Sequence, residues 1–296
     1  MTKRVKPLIH DIVGRGVMAS PRLRRAAWRA GRSLYCMARG EQRADDMRVD
    51  GELDLQRRAV EAHRADSRFV AFDVGANQGD WTLALIDAFR AKGNIANLDA
   101  HIFEPVPTTR ERLATRLNAA CAQNVRINAE AASDKAGALE MIITSDTGGT
   151  NSVVYDEVMA KQALGFVSVQ VTTLDLYCSE SGIGHINIVK CDTEGHDLAV
   201  LRGAAGLLKE GRIDIFQFEY NHRWIFARAF LKDVFDLIEG LPYRLGRVMP
   251  SSIEFFESWH PELERYYQSN YVLVREPCLE WFTFRQGNFD KSNVYA

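Results

Sequence analysis

Phe72-Asp73-Val74-Gly75-Ala76-Asn77-Gln78-Gly79, with a glutamate at position 104, decides how this chain is read. The residues leading into it, Phe69-Val70-Ala71-Phe72, form an apolar run of strand length, and the two glycines predict a tight turn that opens a helix. Glycine has no side chain to keep backbone away from a flat ligand, so positions 75 and 79 suit close approach. A second apolar run, Ala100-His101-Ile102-Phe103, ends in Glu104, where an acid can grip two neighbouring ribose hydroxyls. Strand, glycine turn, helix, strand and acid describe a nucleoside-cofactor pocket.

Which nucleoside follows from the turn itself. A dinucleotide needs G-x-G-x-x-G, because the pyrophosphate lies against bare backbone at the helix start. Here Asn77 stands where the middle glycine would be, and the spacing is Gly-x-x-x-Gly. Asp73 adds negative charge before the turn, which suits a cationic amino-acid moiety better than two phosphates. S-adenosylmethionine carries an ammonium and a sulfonium and has no phosphate. An ordinary strand-to-helix turn explains both glycines but not Glu104.

The rest of the chain sets bounds. It has 296 residues, nearly half of them apolar, and a net charge of −2, so no global pull toward nucleic acid is expected. The five cysteines, at 36, 121, 178, 191 and 278, are scattered and contain no C-x-x-C pair. They point to a reducing compartment, the cytoplasm, and away from a zinc site or a disulfide framework. No apolar run is long enough to span a membrane, and no secretory leader is read at the start.

Charge is unevenly spread. Residues 1–40 hold ten basic residues against one acid, Asp11, and Pro21 to Ala38 reads as a basic amphipathic helix. Such a segment can lie on an anionic membrane surface, dock on a partner, or cover a domain edge. Residues 1–66 are accordingly read as a basic helical extension, with a second helix from Leu53 to His63, and 67–296 as the main domain. From Phe69 onward strand-like and helix-like runs alternate, the signature of a mostly parallel α/β sheet covered on both faces. Strands are expected near 125–132, 139–144, 167–172, 186–192, 213–220, 243–248 and 271–275. One helix is expected over Leu198–Leu208 and another over Ala229–Glu239. Gly148 to Ser152 reads as a polar loop able to close over a site.

Two further strand ends carry ionisable residues: Lys190-Cys191-Asp192-Thr193-Glu194-Gly195-His196-Asp197 and Glu219-Tyr220-Asn221-His222. Ligands of open α/β sheets bind beyond the carboxyl ends of the strands, so these groups should converge on Gly75 and Glu104. With D-V-G-A-N-Q-G at 73–79 and F-E-P at 103–105, three further stretches complete an ordered set: V-T-T-L-D at 171–175, K-C-D-T-E-G at 190–195 and V-L-R-G-A at 200–204. With N-Y-V-L-V at 270–274, the chain resembles the FkbM family of S-adenosylmethionine-dependent methyltransferases from about Val70 to Val274.

The resemblance implies a class I methyltransferase (Rossmann-like) fold, a seven-stranded mostly parallel sheet with helices on both faces and an antiparallel last strand. It implies O-methylation of a sugar, glycoside or natural-product hydroxyl. Asp73, Gly75, Ala76, Asn77 and Gly79 match its cofactor loop, Glu104 its ribose acid, and Ala132 and Ser133 its adenine wall. Where the family commonly has E-G-x-E, this chain reads Glu194-Gly195-His196-Asp197.

Methyl transfer is an in-line displacement, and a positioned base adds roughly 10²–10⁴-fold as the hydroxyl loses its proton. Candidates are Asp192, Glu194, His196, Glu219 and His222. Asp192 and His196 are preferred because they follow the fourth core strand, Asp192 also being a candidate cofactor contact, and Lys190 is placed to orient a carboxylate or bind an acceptor oxygen. Asp192 or Thr193 also suits a helix cap, Glu194 a first-turn acid, and His196 a solvated helix start. Asp192, Glu219 and Asn221 supply three oxygens suited to Mg²⁺. Tyr220, Trp224, Phe226, Phe255, Phe256, Trp259, Tyr266 and Tyr267 suit either an acceptor wall or core. The arginine-rich arm leaves an RNA methyltransferase open, and a non-catalytic binder of the cofactor is the third alternative.

Overall fold

The computed structural model describes residues 14–41, 46–64, 66–120, 124–145, 149–291 and 294–295. The chain divides into two compact units, residues 1–43 and 44–296. The first contains the helix Pro21–Ala38, with proline in its first turn, where a missing N–H costs nothing.

Among the described residues the second unit is built on twelve strands. In chain order they are β1 (Phe69–Val74), β2 (Leu98–Phe103), β3 (Val125–Asn128), β4 (Ala131–Ala132), β5 (Gly137–Ile143) and β6 (Gly165–Thr172). Then come β7 (Ile186–Cys191), β8 (Ile213–Tyr220), β9 (Tyr243–Met249), β10 (Ser252–Phe255), β11 (Ser269–Arg275) and β12 (Phe284–Gln286). Nine form one sheet in the order β12-β10-β9-β11-β8-β7-β1-β2-β3, and β4-β6-β5 form a second. From β3 to β8 the pairings are parallel, while β11 runs antiparallel to both of its neighbours, β8 and β9.

Seven of these strands fulfil the expected sheet, and the structure adds two. Beyond β9 the chain turns back as β10, and β12 pairs outside it, covering an edge that would otherwise present unpaired amides. Gly246 in β9 makes room for that hairpin: a Cβ there would lie 2.4 Å from Ile253 and 2.8 Å from Phe255. The strand expected across 125–132 is broken into β3 and β4, which belong to different sheets. The single helix expected over Leu198–Leu208 is two short ones, Asp197–Arg202 and Ala205–Lys209. Between them Gly203 packs so tightly on the carbonyl of Ser133 that a Cβ would sit 1.9 Å from it.

Alternate residues of β1 enter different apolar cores. Val70, Phe72 and Val74 join one cluster, Phe69 and Ala71 the other, so the sheet is buried on both faces. The second cluster includes Trp81, Leu85, Ile86 and Phe89 of the helix Asp80–Ala91, at the spacing that lines one helical face. It also takes in Leu55, Ala59 and Val60 of the helix Glu52–Ala62. That helix therefore packs within the compact unit of residues 44–296. No helix among the described residues is long and apolar enough to cross a membrane.

Candidate active site

A solvent-open cleft lies at the carboxyl ends of β1, β2 and β7, roofed by the small sheet. Gly75, Asn77, Glu104, Ala132, Asp192, Glu194 and His196 line it. The loop after β1 is held from both sides. The amides of Gly75 and Ala76 donate to the carbonyl of Phe103 at 3.0 and 3.3 Å, and that of Asp192 donates to the carbonyl of Val74 at 2.9 Å. Gly75 has φ +81°, and a Cβ there would lie 1.9 Å from the Asp192 carbonyl. At Gly79, φ +79°, it would meet Leu113 at 2.4 Å. Both glycines are thus demanded by neighbouring protein as well, and Gly75 lines the cleft.

Glu104 is buried at the cleft floor. Its Oε2 accepts from the amide of Asn77 at 3.0 Å and its Oε1 from that of Val106 at 3.0 Å. Burial pushes its carboxyl up to about 7, against the pull of those two amides and of Arg110. Each carboxylate oxygen keeps a second lone pair for a hydroxyl donor. Asn77 adopts φ 50°, and its buried side-chain Oδ1 has no hydrogen-bond partner among the described residues. An orphaned acceptor beside a buried acid is a polar socket waiting for donors.

The other residues of the expected cofactor loop support the cleft without lining it. Asp73 is buried, and its Oδ2 accepts the Thr82 hydroxyl at 2.6 Å. Burial raises its carboxyl above the ordinary range, with Lys190 pulling the other way. Ala76 joins the apolar core and Gly79 starts the helix Asp80–Ala91. Ser133 is buried too, with its Oγ 2.8 Å from His196 Nε2.

At the end of β7, the buried Lys190 donates from Nζ to Asp192 Oδ2 at 3.1 Å. Burial works to discharge this lysine, but Asp192, Asp73 and Glu52 outweigh it and hold its pKa above the ordinary value. Asp197 is fully buried and accepts the amides of Thr193 and Gly195 at 3.2 Å, so it shapes the loop over which Asp192 and Glu194 project. Burial lifts its carboxyl to about 7. Glu194, at φ 56°, pairs with Arg223 at 3.3 Å. Arg223 in turn donates to the Thr150 carbonyl at 3.2 Å, while Ser152 Oγ donates to the Glu194 carbonyl at 2.8 Å. These contacts tie the polar loop to the β7 loop, and Gly149 and Asn151 line the cleft. Gly148 lies outside the described residues. Burial drives His196 down to about 4, so its ring is neutral at ordinary pH.

Glu219, Asn221 and His222 do not line the cleft. Glu219 accepts from Asn221 Nδ2 at 2.6 Å and from Gln268 Nε2 at 3.0 Å, and Asn221 Oδ1 takes the amide of Arg223. The expected Mg²⁺ set therefore does not fit: its oxygens are engaged by protein donors, Asp192 by a lysine. Among the described residues no three His, Cys, Asp or Glu side chains group as metal ligands. The aromatic residues open to either role do not line the cleft. Tyr220, Trp224, Phe255 and Phe256 are core, while Phe226, Trp259, Tyr266 and Tyr267 stand away from the cleft lining.

The sequence reading missed Arg223, Glu52 and the apolar roof of Val106, Met141 and Val153. Met141 sits in the visible strand Gly137–Ile143 and Val153 just beyond the polar loop, and their fold over the cleft is a long-range event. Glu52 has no local signal, since it accepts from Gln217 and Asn270, distant in sequence.

The sheet order and a cleft floored by the β1 turn and the β2 acid define a class I methyltransferase. Residues 73–245 match the Methyltransferase FkbM domain, more than half of the chain. The chain belongs to the FkbM methyltransferase family. It is similar to a solved methyltransferase FkbM from Methylobacillus flagellatus KT, with 14% identity and a TM-score of 0.45. That match covers 74% of this chain and 48% of the other, so the chain spans about half of that protein's length. It is also similar to an rRNA methylase from Streptococcus thermophilus, at 10% identity and TM-score 0.40, covering 75% and 94% of the two chains. The N-terminal domain of human METTL16 in complex with SAH matches at 8% identity and TM-score 0.41, covering 75% and 68%. No curated protein matches the sequence.

Proposed function

We propose that this methyltransferase uses S-adenosylmethionine and methylates a hydroxyl oxygen of a glycan, glycoside or natural-product acceptor. The carrying observation is that Asn77, the buried acid Glu104 and Asp192 line one cleft. The bound cofactor would supply an electrophilic methyl on a sulfonium. Glu104 would accept ribose hydroxyls, Asn77 Oδ1 a further donor, and Ala132 would pack on the adenine.

Asp192 is the favoured base. One of its oxygens accepts from Lys190 Nζ at 3.1 Å, and the side chain is partly exposed. It would take the acceptor hydroxyl's proton as the carbon–oxygen bond forms, worth roughly 10²–10⁴-fold. His196 serves as a neutral wall fixed by Ser133 rather than as that base. Glu194, paired with Arg223, orients the acceptor side. Cys36, Cys178, Cys191 and Cys278 are free thiols, which suits the reducing cytoplasm.

The test is transfer of isotope-labelled methyl from S-adenosylmethionine into fractionated metabolites, glycolipids and RNA of the host, followed by mass identification. Label on a hydroxyl oxygen of a small molecule or glycan supports the reading. Label confined to RNA overturns it.

A further inference from the structure

The geometry points to the helix Pro21–Ala38 as a membrane-surface anchor, taking an anionic phospholipid bilayer as its partner. Leu23, Ala27, Ala30, Leu34 and Met37 follow one another at steps of three and four and therefore share one face. Arg25, Arg29 and Arg32 share the opposite face by the same spacing. The helix carries five arginines and no acid, and none of its side chains is buried. Leu23 is 56% exposed, Trp28 61%, Leu34 62% and Met37 51%. The Arg32 guanidinium stands 5.2 Å from the centre of the Trp28 ring, placing an indole beside a cation at the edge of the basic face. Apolar stripe, opposed arginines and flanking Trp28 and Tyr35 are the division of labour of a helix lying in a headgroup layer.

Charge separates this partner from nucleic acid. Residues 1–40 carry a net +9, and the remaining residues therefore carry −11 of a chain whose total is −2. A polynucleotide tracked along the protein would meet that acidic remainder, whereas a bilayer needs to meet the helix alone. The leucine stripe also has no task against phosphates, yet it is what hydrocarbon takes up.

The experiment is co-sedimentation of the full chain with vesicles of phosphatidylcholine alone and of phosphatidylcholine with phosphatidylglycerol. The expected result is binding to the anionic vesicles only. Bound protein should fall about tenfold or more in the Arg25→Glu, Arg29→Glu, Arg32→Glu triple variant, and similarly in Leu23→Glu, Leu34→Glu. Both variants should keep the wild-type affinity for S-adenosylmethionine, showing that residues 44–296 are intact. No binding to anionic vesicles overturns the proposal. So does undiminished binding by the leucine variant, and so does preference for RNA over vesicles in direct competition.

Discussion

The amide of Asn77, on the β1 turn, donates to Oε2 of Glu104, at the end of β2, at 3.0 Å. One hydrogen bond thus fixes both the turn and the acid that share the cleft floor. Glu104 is at once a fastener of the loop and its ligand-facing group. Glu104→Gln separates these duties poorly, because an amide side chain has one acceptor oxygen and would turn an N–H on the Asn77 or Val106 amide. The variant is expected to lose about 1–3 kcal/mol of stability in urea titration and at least about tenfold in S-adenosylmethionine affinity by calorimetry.

The raised Glu104 carboxyl gives that affinity a pH dependence. A ribose contact uses the ionised form, so binding releases a proton wherever the free acid is protonated. Affinity is expected to be flat above about pH 7 and to weaken as pH falls below it, by up to about tenfold per unit. In Glu104→Gln this limb should vanish. Its persistence would assign the titration elsewhere.

The same elevation predicts how the ligand-free protein responds to base. Glu104 and Asp197, both near 7, and Glu52, near 8, hold protons in the folded state that the unfolded chain releases. Between about pH 7.5 and 9 the buried histidines, lowered to about 4 when folded, are neutral in both states. Urea midpoints should therefore fall as pH rises through this window, since the folded state binds more protons.

Lys190 and Asp192 should respond differently to substitution. Lys190→Met leaves three carboxylates without their buried cation and is expected to cost about 3 kcal/mol in chemical denaturation. Asp192→Asn can still accept from Lys190 Nζ, so folding and cofactor affinity should hold while turnover drops by roughly 10²–10⁴. His196→Asn should spare turnover to within about tenfold. The reverse order would move the base to His196.

Gly75→Ala tests why the turn needs glycine. A left-handed conformation costs an alanine about 1–2 kcal/mol, and the collision with the Asp192 carbonyl adds about 1–3 more. Gly93→Ala, also at positive φ but with open space around it, should cost only the first part. Equal losses in thermal unfolding would show that the contact with Asp192 is not tight.

Local pattern carried most of the architecture. The apolar strand Phe69–Phe72, the helix behind Gly79 and the buried run Ile213–Tyr220 lie where periodicity places them, because each buries its own alternate or one-sided faces. Short edge strands such as Phe284–Gln286 escape such reading, as their reason to exist is a neighbour's open edge. The site divides in the same way. Glu104, Asn77 and Asp192 reach the cleft because strand ends must. Asp73, Ser133 and Glu219 are held back by Thr82, His196, Asn221 and Gln268, partners that only the folded chain brings near.

Isothermal titration calorimetry of the full chain with S-adenosylmethionine, S-adenosylhomocysteine and NADH, repeated with Glu104→Gln, addresses the central claim most directly. Saturable uptake of both adenosyl compounds, weakened by the substitution, with no heat from NADH, is the predicted outcome. Tight NADH binding with neither sulfur compound taken up would contradict it.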